Sequence, residues 1–104
     1  MRVLWNAAIR IDDAIELRAD VYLPEREARY PVILSCGPYG KGYAFQESNP
    51  AAWEALVEGH PEILEGSSNR YQVWEVVDPE KWVPEGYAVV RVDSRGAGAS
   101  PGTL

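Results

Sequence analysis

Cysteine and histidine are scarce in this chain of 104 residues, which has one of each, Cys36 and His60. A single cysteine excludes an internal disulfide framework and is compatible with a reducing compartment. No apolar run approaches the length of a membrane span or of a signal-peptide core, so we expect a cytoplasmic protein with no membrane partner. No metal-ligand spacing is found either, and neither a metal nor a cofactor is predicted.

Basic residues are also few, with 10 Lys and Arg against 16 Asp and Glu and a net charge of −6. They form no cluster that could follow a phosphate backbone, which excludes nucleic acid as an expected partner. Hydrophobic residues make up 46% of the chain, including four Trp and six Tyr, so the chain is expected to fold around one core.

Alternating apolar and polar residues predict two strands, from Val3 to Ile11 and from Ile15 to Leu23, with the odd-numbered side chains buried. The acidic segment Asp12-Asp13-Ala14 between them predicts an antiparallel hairpin. The apolar run from Val32 to Cys36 predicts a third strand covered on both faces, with Cys36 as a small buried hydrophobe. A further buried strand is predicted from Tyr87 to Asp93.

Two pairs of a capping residue and a proline predict helix starts. Asn49-Pro50 begins a helix that Gly59 ends, and Asp78-Pro79 begins a helical turn with Trp82 and Val83 facing inward. Between them, residues at about 60–72 are predicted to be an irregular insertion. The order of elements predicts an α/β fold with a mainly parallel sheet, and the lack of a helix after the last strand predicts an incomplete sheet.

The loop after the last strand contains Gly98-Ala99-Ser100-Pro101-Gly102, which matches the G-x-S-x-G pattern of a serine-hydrolase nucleophile elbow. In such an elbow the residue after the serine donates its backbone N–H to the oxyanion, and Pro101 has none. Ser100 also lies seven positions beyond Asp93, well past the strand. We therefore interpret Ser100 as a loop serine that forms local hydrogen bonds. Pro101 likewise breaks the glycine pattern of a dinucleotide-binding loop.

Four other residues are candidates for chemistry. Tyr39 lies on a loop with three glycines and a proline after the third strand, where its hydroxyl could stabilise an oxyanion or its ring could pack against Tyr43 or Phe45. Asp93 and Arg95 are predicted to form a local ion pair that holds the last loop. His60, between Gly59 and Pro61, is predicted to be a solvated loop residue without a catalytic partner.

The sequence resembles the amino-terminal part of the CocE/NonD family, the cocaine-esterase and X-prolyl dipeptidyl-peptidase-like α/β-hydrolases. The resemblance covers nearly the whole chain and rests on four stretches in the family's order. These are the hairpin 11–24, the strand and Pro38-Tyr39-Gly40-Lys41 loop within 30–41, the block 82–87, and the segment 92–102. The family usually has Asp-Gly where this hairpin has Asp12-Asp13, which puts the type of turn in doubt.

The resemblance implies that residues 1–104 are the amino-terminal part of a serine hydrolase that cleaves ester or X-prolyl amide bonds through an acyl-enzyme. Tyr39 corresponds to the family's oxyanion-hole tyrosine. The family's nucleophile, acid and base follow the segment 92–102, so the chain alone is expected to lack activity. The substrate of the whole enzyme would be a small ester or amide, or a peptide. The alternative is a non-catalytic interaction module that associates with itself, or with the missing remainder, through exposed sheet edges.

Overall fold

The computed structural model describes residues 1–12 and 14–103, and within them the chain forms a single four-stranded sheet. The strands are β1 (Arg2–Asp12), β2 (Ile15–Leu23), β3 (Val32–Gly37) and β4 (Ala88–Asp93). Three helices lie between β3 and β4, namely α1 (Phe45–Ser48), α2 (Pro50–Gly59) and α3 (Pro79–Trp82). Short 3₁₀ helices span Pro61–Leu64 and Val83–Glu85.

Both predicted helix starts are confirmed by their capping bonds. The Asn49 side chain accepts a hydrogen bond from the Ala52 N–H, and the Asp78 side chain accepts one from the Glu80 N–H. A side-chain oxygen at this position satisfies an N–H that has no partner inside the helix. Val83 is buried as predicted, whereas Trp82 is 41% exposed and packs its ring against Tyr87, so its predicted inward orientation is wrong.

The sheet is mixed, with strand order β1-β2-β4-β3. The predicted β1–β2 hairpin is confirmed as antiparallel, although Asp13 in its turn lies outside the described residues. β4 pairs antiparallel with β2 and parallel with β3. The expectation of a mainly parallel sheet is therefore wrong for this part of the chain, because the hairpin docks beside β4 and leaves β3 outermost.

The burial pattern of β1 departs from simple alternation. A bulge between Leu4 and Ala7 inserts one extra residue opposite β2, and Asn6 within it has a φ of 52°. An extra residue transfers the following side chains to the other face, so the odd-numbered set is divided between the two faces. Ile11, which follows the bulge and was predicted to be buried, is 48% exposed. Trp5 was also predicted to be buried and is 56% exposed, although it precedes Asn6 and packs its ring against Tyr22 and Tyr71.

The segment between β3 and β4 covers one face of the sheet and forms the core there. Tyr22, Val83 and Val89 are buried against one another, and Val3, Tyr71 and Val77 pack around them. The molecule measures 47 × 34 × 16 Å, and its smallest dimension corresponds to a sheet with one layer packed against it.

Along β3, which forms one edge of the sheet, side chains alternate between half-buried and exposed. Val32 and Leu34 are 57% and 65% exposed, and Cys36 is exposed as well. The prediction that β3 is covered on both faces, with Cys36 buried, is wrong because the crossover segment packs on the opposite face only.

Residues 65–78 follow the first 3₁₀ helix as turns and irregular chain. Whether the region at about 60–72 is an insertion stays a prediction. In residues 1–12 and 14–103, the structure contains no helix long and apolar enough to cross a membrane.

Candidate functional site

The loop that follows β3 presents Tyr39 to solvent. The carbonyl of Gly37, the last residue of β3, accepts a hydrogen bond from the Ser94 N–H at 3.0 Å. A turn closes after Tyr39, where the Tyr43 N–H donates to the Gly40 carbonyl at 3.1 Å. Tyr39 is 68% exposed. The ring of Phe45 packs against Trp53 and Trp74. Whether Tyr39 serves as an oxyanion donor or packs against Tyr43 or Phe45 stays a prediction.

A cleft of about 180 Å³ lies beside Tyr39. It is lined by residues 35–41 from the end of β3 and its loop, by residues 73–76, and by Arg91 and Val92 of β4. Among these, Pro38, Val73 and Trp74 contribute apolar surface. An exposed hydroxyl at the carboxyl end of a parallel strand, beside a small cleft, is a common arrangement of ligand sites in α/β proteins.

Asp93, the last residue of β4, holds this loop and the glycine-rich loop that follows β4. It is 1% exposed. One carboxylate oxygen accepts a hydrogen bond from the Lys41 N–H at 2.7 Å, and the other accepts one from the Ala99 N–H at 2.8 Å. Through these two bonds the buried Asp93 carboxylate fixes two loops at one point.

Lys41 brings a second aspartate into the same cluster. Its ammonium lies 3.1 Å from Oδ1 of Asp20 on β2 and 3.9 Å from Oδ2 of Asp93, and it donates to the Asn6 side-chain oxygen. The Lys41 side chain is 8% exposed and those of the two aspartates are 3% and 2% exposed. Two carboxylates and one ammonium are thus buried together at the carboxyl end of β4.

Ser100 forms hydrogen bonds in both directions. Its hydroxyl donates to the Asp93 carbonyl at 2.6 Å and accepts from the Arg18 N–H at 2.9 Å, and the residue is 6% exposed. The structure thus shows a loop serine engaged in hydrogen bonds, as predicted, and one of its partners lies on β2, far away in sequence.

Gly98 is required by the close approach of the last loop to Asp93. A Cβ at Gly98 would lie 2.2 Å from Oδ2 of Asp93, and the residue has a φ of +49°. Because of this short distance and the positive φ, position 98 could carry a side chain only if the loop moved. The glycine at position 98 is therefore explained by the packing of this loop on the Asp93 carboxylate.

Arg95 does not form the expected ion pair with Asp93. In residues 1–12 and 14–103, the cation that approaches the Asp93 carboxylate is Lys41. Arg95 is exposed, and its Cγ lies 2.6 Å from the position that a Cβ on Gly102 would occupy. The expected ion pair does not form because the Asp93 carboxylate is buried against the Lys41 and Ala99 N–H groups, whereas Arg95 is exposed.

His60 and Cys36 do not come together. His60 is exposed and its Nδ1 lies 3.1 Å from Oε1 of the nearby Glu62, in agreement with the prediction of a solvated loop residue. Cys36 lines the cleft, and His60 is not among the residues that line it.

Arg91 of β4 was missed as a buried charge in the sequence analysis. Its guanidinium donates to the carbonyls of Tyr71 and Val77 and lies 5.2 Å from the centre of the Tyr22 ring. Burial lowers the pKa of Arg91 and raises the pKa of Tyr22 to about 12. Arg91 thereby fastens the segment 71–77, which forms part of the cleft, to the sheet.

Asp20 and Lys41 were also missed. Arg91 lies within the apolar run 88–92, where a charged residue is rarely buried without a partner, so this position carried a signal for a buried pair. Asp20 carried no such signal, because it continues the polar alternation of Glu16 and Arg18 along β2. The sequence did not indicate which partner each would meet.

Comparison with known proteins shows which family and which solved structures this chain resembles. The profile of a family described as X-Pro dipeptidyl-peptidase (S15 family) matches residues 13–104. Two crystal structures of a CocE/NonD family hydrolase from Staphylococcus aureus superpose with TM-scores of 0.69 and 0.68 at 26% sequence identity. Each alignment covers 94% of this chain and 16% of the larger protein. A comparison with curated protein sequences finds no match.

The sheet with Tyr39 at its edge is thus the kind found in a hydrolase fold. The chain belongs to the X-Pro dipeptidyl-peptidase (S15) family and, with it, to the CocE/NonD hydrolases that its motifs resemble. It spans about one sixth of the length of the solved structures that it matches.

Proposed function

We propose that this chain is the amino-terminal part of a serine hydrolase that cleaves ester or amide bonds, and that Tyr39 provides one hydrogen bond of its oxyanion hole. The observation that carries the proposal is the exposed Tyr39 hydroxyl group, held on an anchored loop beside a cleft. Membership of a hydrolase family supports the reaction class.

In the proposed mechanism a serine attacks the substrate carbonyl, whose oxygen gains negative charge in the tetrahedral intermediate. The Tyr39 hydroxyl donates a hydrogen bond to that oxygen, and a backbone N–H beside the serine donates a second. A donor held in place before the reaction stabilises the developing charge without reorganisation. The nucleophile, acid and base would follow this chain in sequence, because Ser100 is hydrogen-bonded and buried and the only histidine lies on an exposed loop.

The substrate would contact the cleft beside Tyr39. Pro38, Val73 and Trp74 line it, and their apolar surfaces suit an alkyl or pyrrolidine group next to the scissile carbonyl. This supports small esters or X-prolyl amides as the substrate class.

The outer edge of β3 supports the proposal of a larger protein. In residues 1–12 and 14–103 no strand pairs with this edge, so its backbone groups and the exposed Val32 and Leu34 suit a further strand and helix contributed by the remainder of the hydrolase. The family membership favours this explanation over a non-catalytic interaction module.

The proposal is tested by Tyr39→Phe in the full-length enzyme, with p-nitrophenyl acetate as substrate. Loss of one oxyanion donor is expected to lower kcat about ten- to a thousandfold. Tyr43→Phe is the matched control, since Tyr43 is a similarly exposed tyrosine of the same loop region and should retain kcat. An unchanged kcat in Tyr39→Phe would leave Tyr39 without a role in the reaction.

A further inference from the structure

Lys41 follows Tyr39 by two residues and is buried with Asp20 and Asp93 in one cluster, which the proposed mechanism does not use. Burying three charged side chains is costly, and such a cluster is a weak source of stability compared with apolar packing. Its location suggests a different use. Lys41 is attached by its backbone N–H to Asp93 and by its ammonium to Asp20, so it is fixed at both ends.

We propose that Lys41 is a positioning residue that holds the Tyr39 hydroxyl in place, with Asp20 and Asp93 as its two anchors. This inference rests on the proposed role of Tyr39 and extends it to the groups that fix the tyrosine.

The geometry of the loop supports this role. Before Tyr39, the Gly37 carbonyl is bound by the Ser94 N–H, and Pro38 restricts the backbone. After Tyr39, Gly40 adopts a φ of 89°. Because glycine has no side chain, its backbone is flexible and does not by itself hold the loop in one conformation. Lys41 is the next residue, and its anchors compensate for the freedom at Gly40. The exposed ring of Tyr39 itself makes little contact that could hold it.

The anchors also lie on the rigid part of the fold. Asp20 and Asp93 belong to the adjacent strands β2 and β4, which pair through Ala19 and Val92. A side chain tied to two paired strands has little freedom, and misplacement of a catalytic group by about 1 Å costs on the order of a hundredfold in rate.

The test uses the full-length enzyme and a charge-balanced variant. Lys41→Met alone would leave two buried carboxylates without a cation and is expected to impair folding. Adding Asp20→Asn restores the net charge of the cluster to one negative charge, and the Asn side-chain oxygen can still accept from the Asn6 N–H, as Asp20 does at 3.0 Å. The matched control is Lys81→Met, at the only other lysine of the chain, which donates to the Ile63 carbonyl.

The double variant D20N/K41M is expected to lower kcat about ten- to a hundredfold and to change KM by less than about twofold. In a Tyr39→Phe background the same substitutions should cause no further loss, because the hydroxyl that they position is already absent. A general weakening of the fold would lower kcat by the same factor in both backgrounds. Lys81→Met should leave kcat unchanged.

The outcomes separate the two proposals. If Tyr39→Phe lowers kcat but D20N/K41M does not, or if both effects multiply, the positioning role is wrong and the oxyanion role of Tyr39 stands. If Tyr39→Phe itself has no effect, the proposed function fails and this inference with it. Should D20N/K41M not fold, Asp20→Asn alone is measured in both backgrounds, since it keeps Lys41 paired with Asp93 and loosens only one anchor. A loss of kcat that depends on Tyr39 supports the role, and any other result overturns it.

Discussion

The hydroxyl of Ser100 donates a 2.6 Å hydrogen bond to the backbone carbonyl of Asp93. This bond joins the end of the glycine-rich loop to the end of β4, and the same oxygen accepts from the Arg18 N–H on β2. A serine in a motif that resembles a nucleophile elbow therefore holds three segments of backbone together.

Ser100→Ala should destabilise the protein by about 1–3 kcal/mol, because it leaves the partly buried Arg18 N–H without the Ser100 hydroxyl as its partner. It should retain kcat, since Ser100 is not the proposed nucleophile. The control is Ser94→Ala. The Ser94 hydroxyl is buried and has no hydrogen-bond partner among residues 1–12 and 14–103, so its removal should cost little stability. Chemical denaturation and ester turnover measure the two effects, and loss of turnover with unchanged stability in Ser100→Ala would contradict this assignment.

Gly98→Ala should destabilise the protein by about 1–3 kcal/mol or more, because the added Cβ meets the Asp93 carboxylate and the positive φ is strained for alanine. Gly59→Ala is the matched control. Gly59 is the last residue of α2, a Cβ there meets nothing within 4 Å, and alanine is the better helix former. Thermal unfolding of the two variants compares them directly. Equal melting temperatures would show that the last loop is not packed on Asp93 as described.

The ionisation of Tyr22 should make stability fall at high pH. Burial raises the pKa of Tyr22 from 10.0 to about 12, so the unfolded chain loses this proton at lower pH than the folded protein. This shift adds about 3 kcal/mol to the free energy of unfolding below pH 10, and the contribution is lost as the pH rises towards 12.

Denaturant unfolding at a series of pH values measures this loss. In Tyr22→Phe the decline between pH 10 and 12 should be shallower than in the wild type, because the phenylalanine cannot ionise. An equally steep decline in the variant would assign it to other groups.

Local signals in the sequence were reliable wherever neighbouring residues decide the structure. Asn49 and Asp78 cap their helices as predicted because a cap needs only a side-chain oxygen within reach of an N–H two or three residues ahead. The four strands were placed to within a few residues for the same reason, since a strand is recognised by its own pattern.

Burial was predicted less well, because it depends on which elements pack on each face. Leu34 and Cys36 looked like core residues but lie on the uncovered side of β3, whereas Asp20 was placed on the outside and is buried. The bulge at Asn6 in β1 reverses the alternation of that strand, and no residue in its sequence required it.

The sequence by itself determined the helix caps, the strand positions, the motifs of the family, and the exclusion of Ser100 as an elbow serine through Pro101. Only the tertiary structure decided that Lys41 pairs with Asp20 and Asp93, and that Asp93 binds the loop of Tyr39 rather than Arg95. These contacts join residues from different strands and loops, and their geometry depends on the order of strands in the sheet. A local pattern carries no information about that order, which is set by the packing of the whole chain.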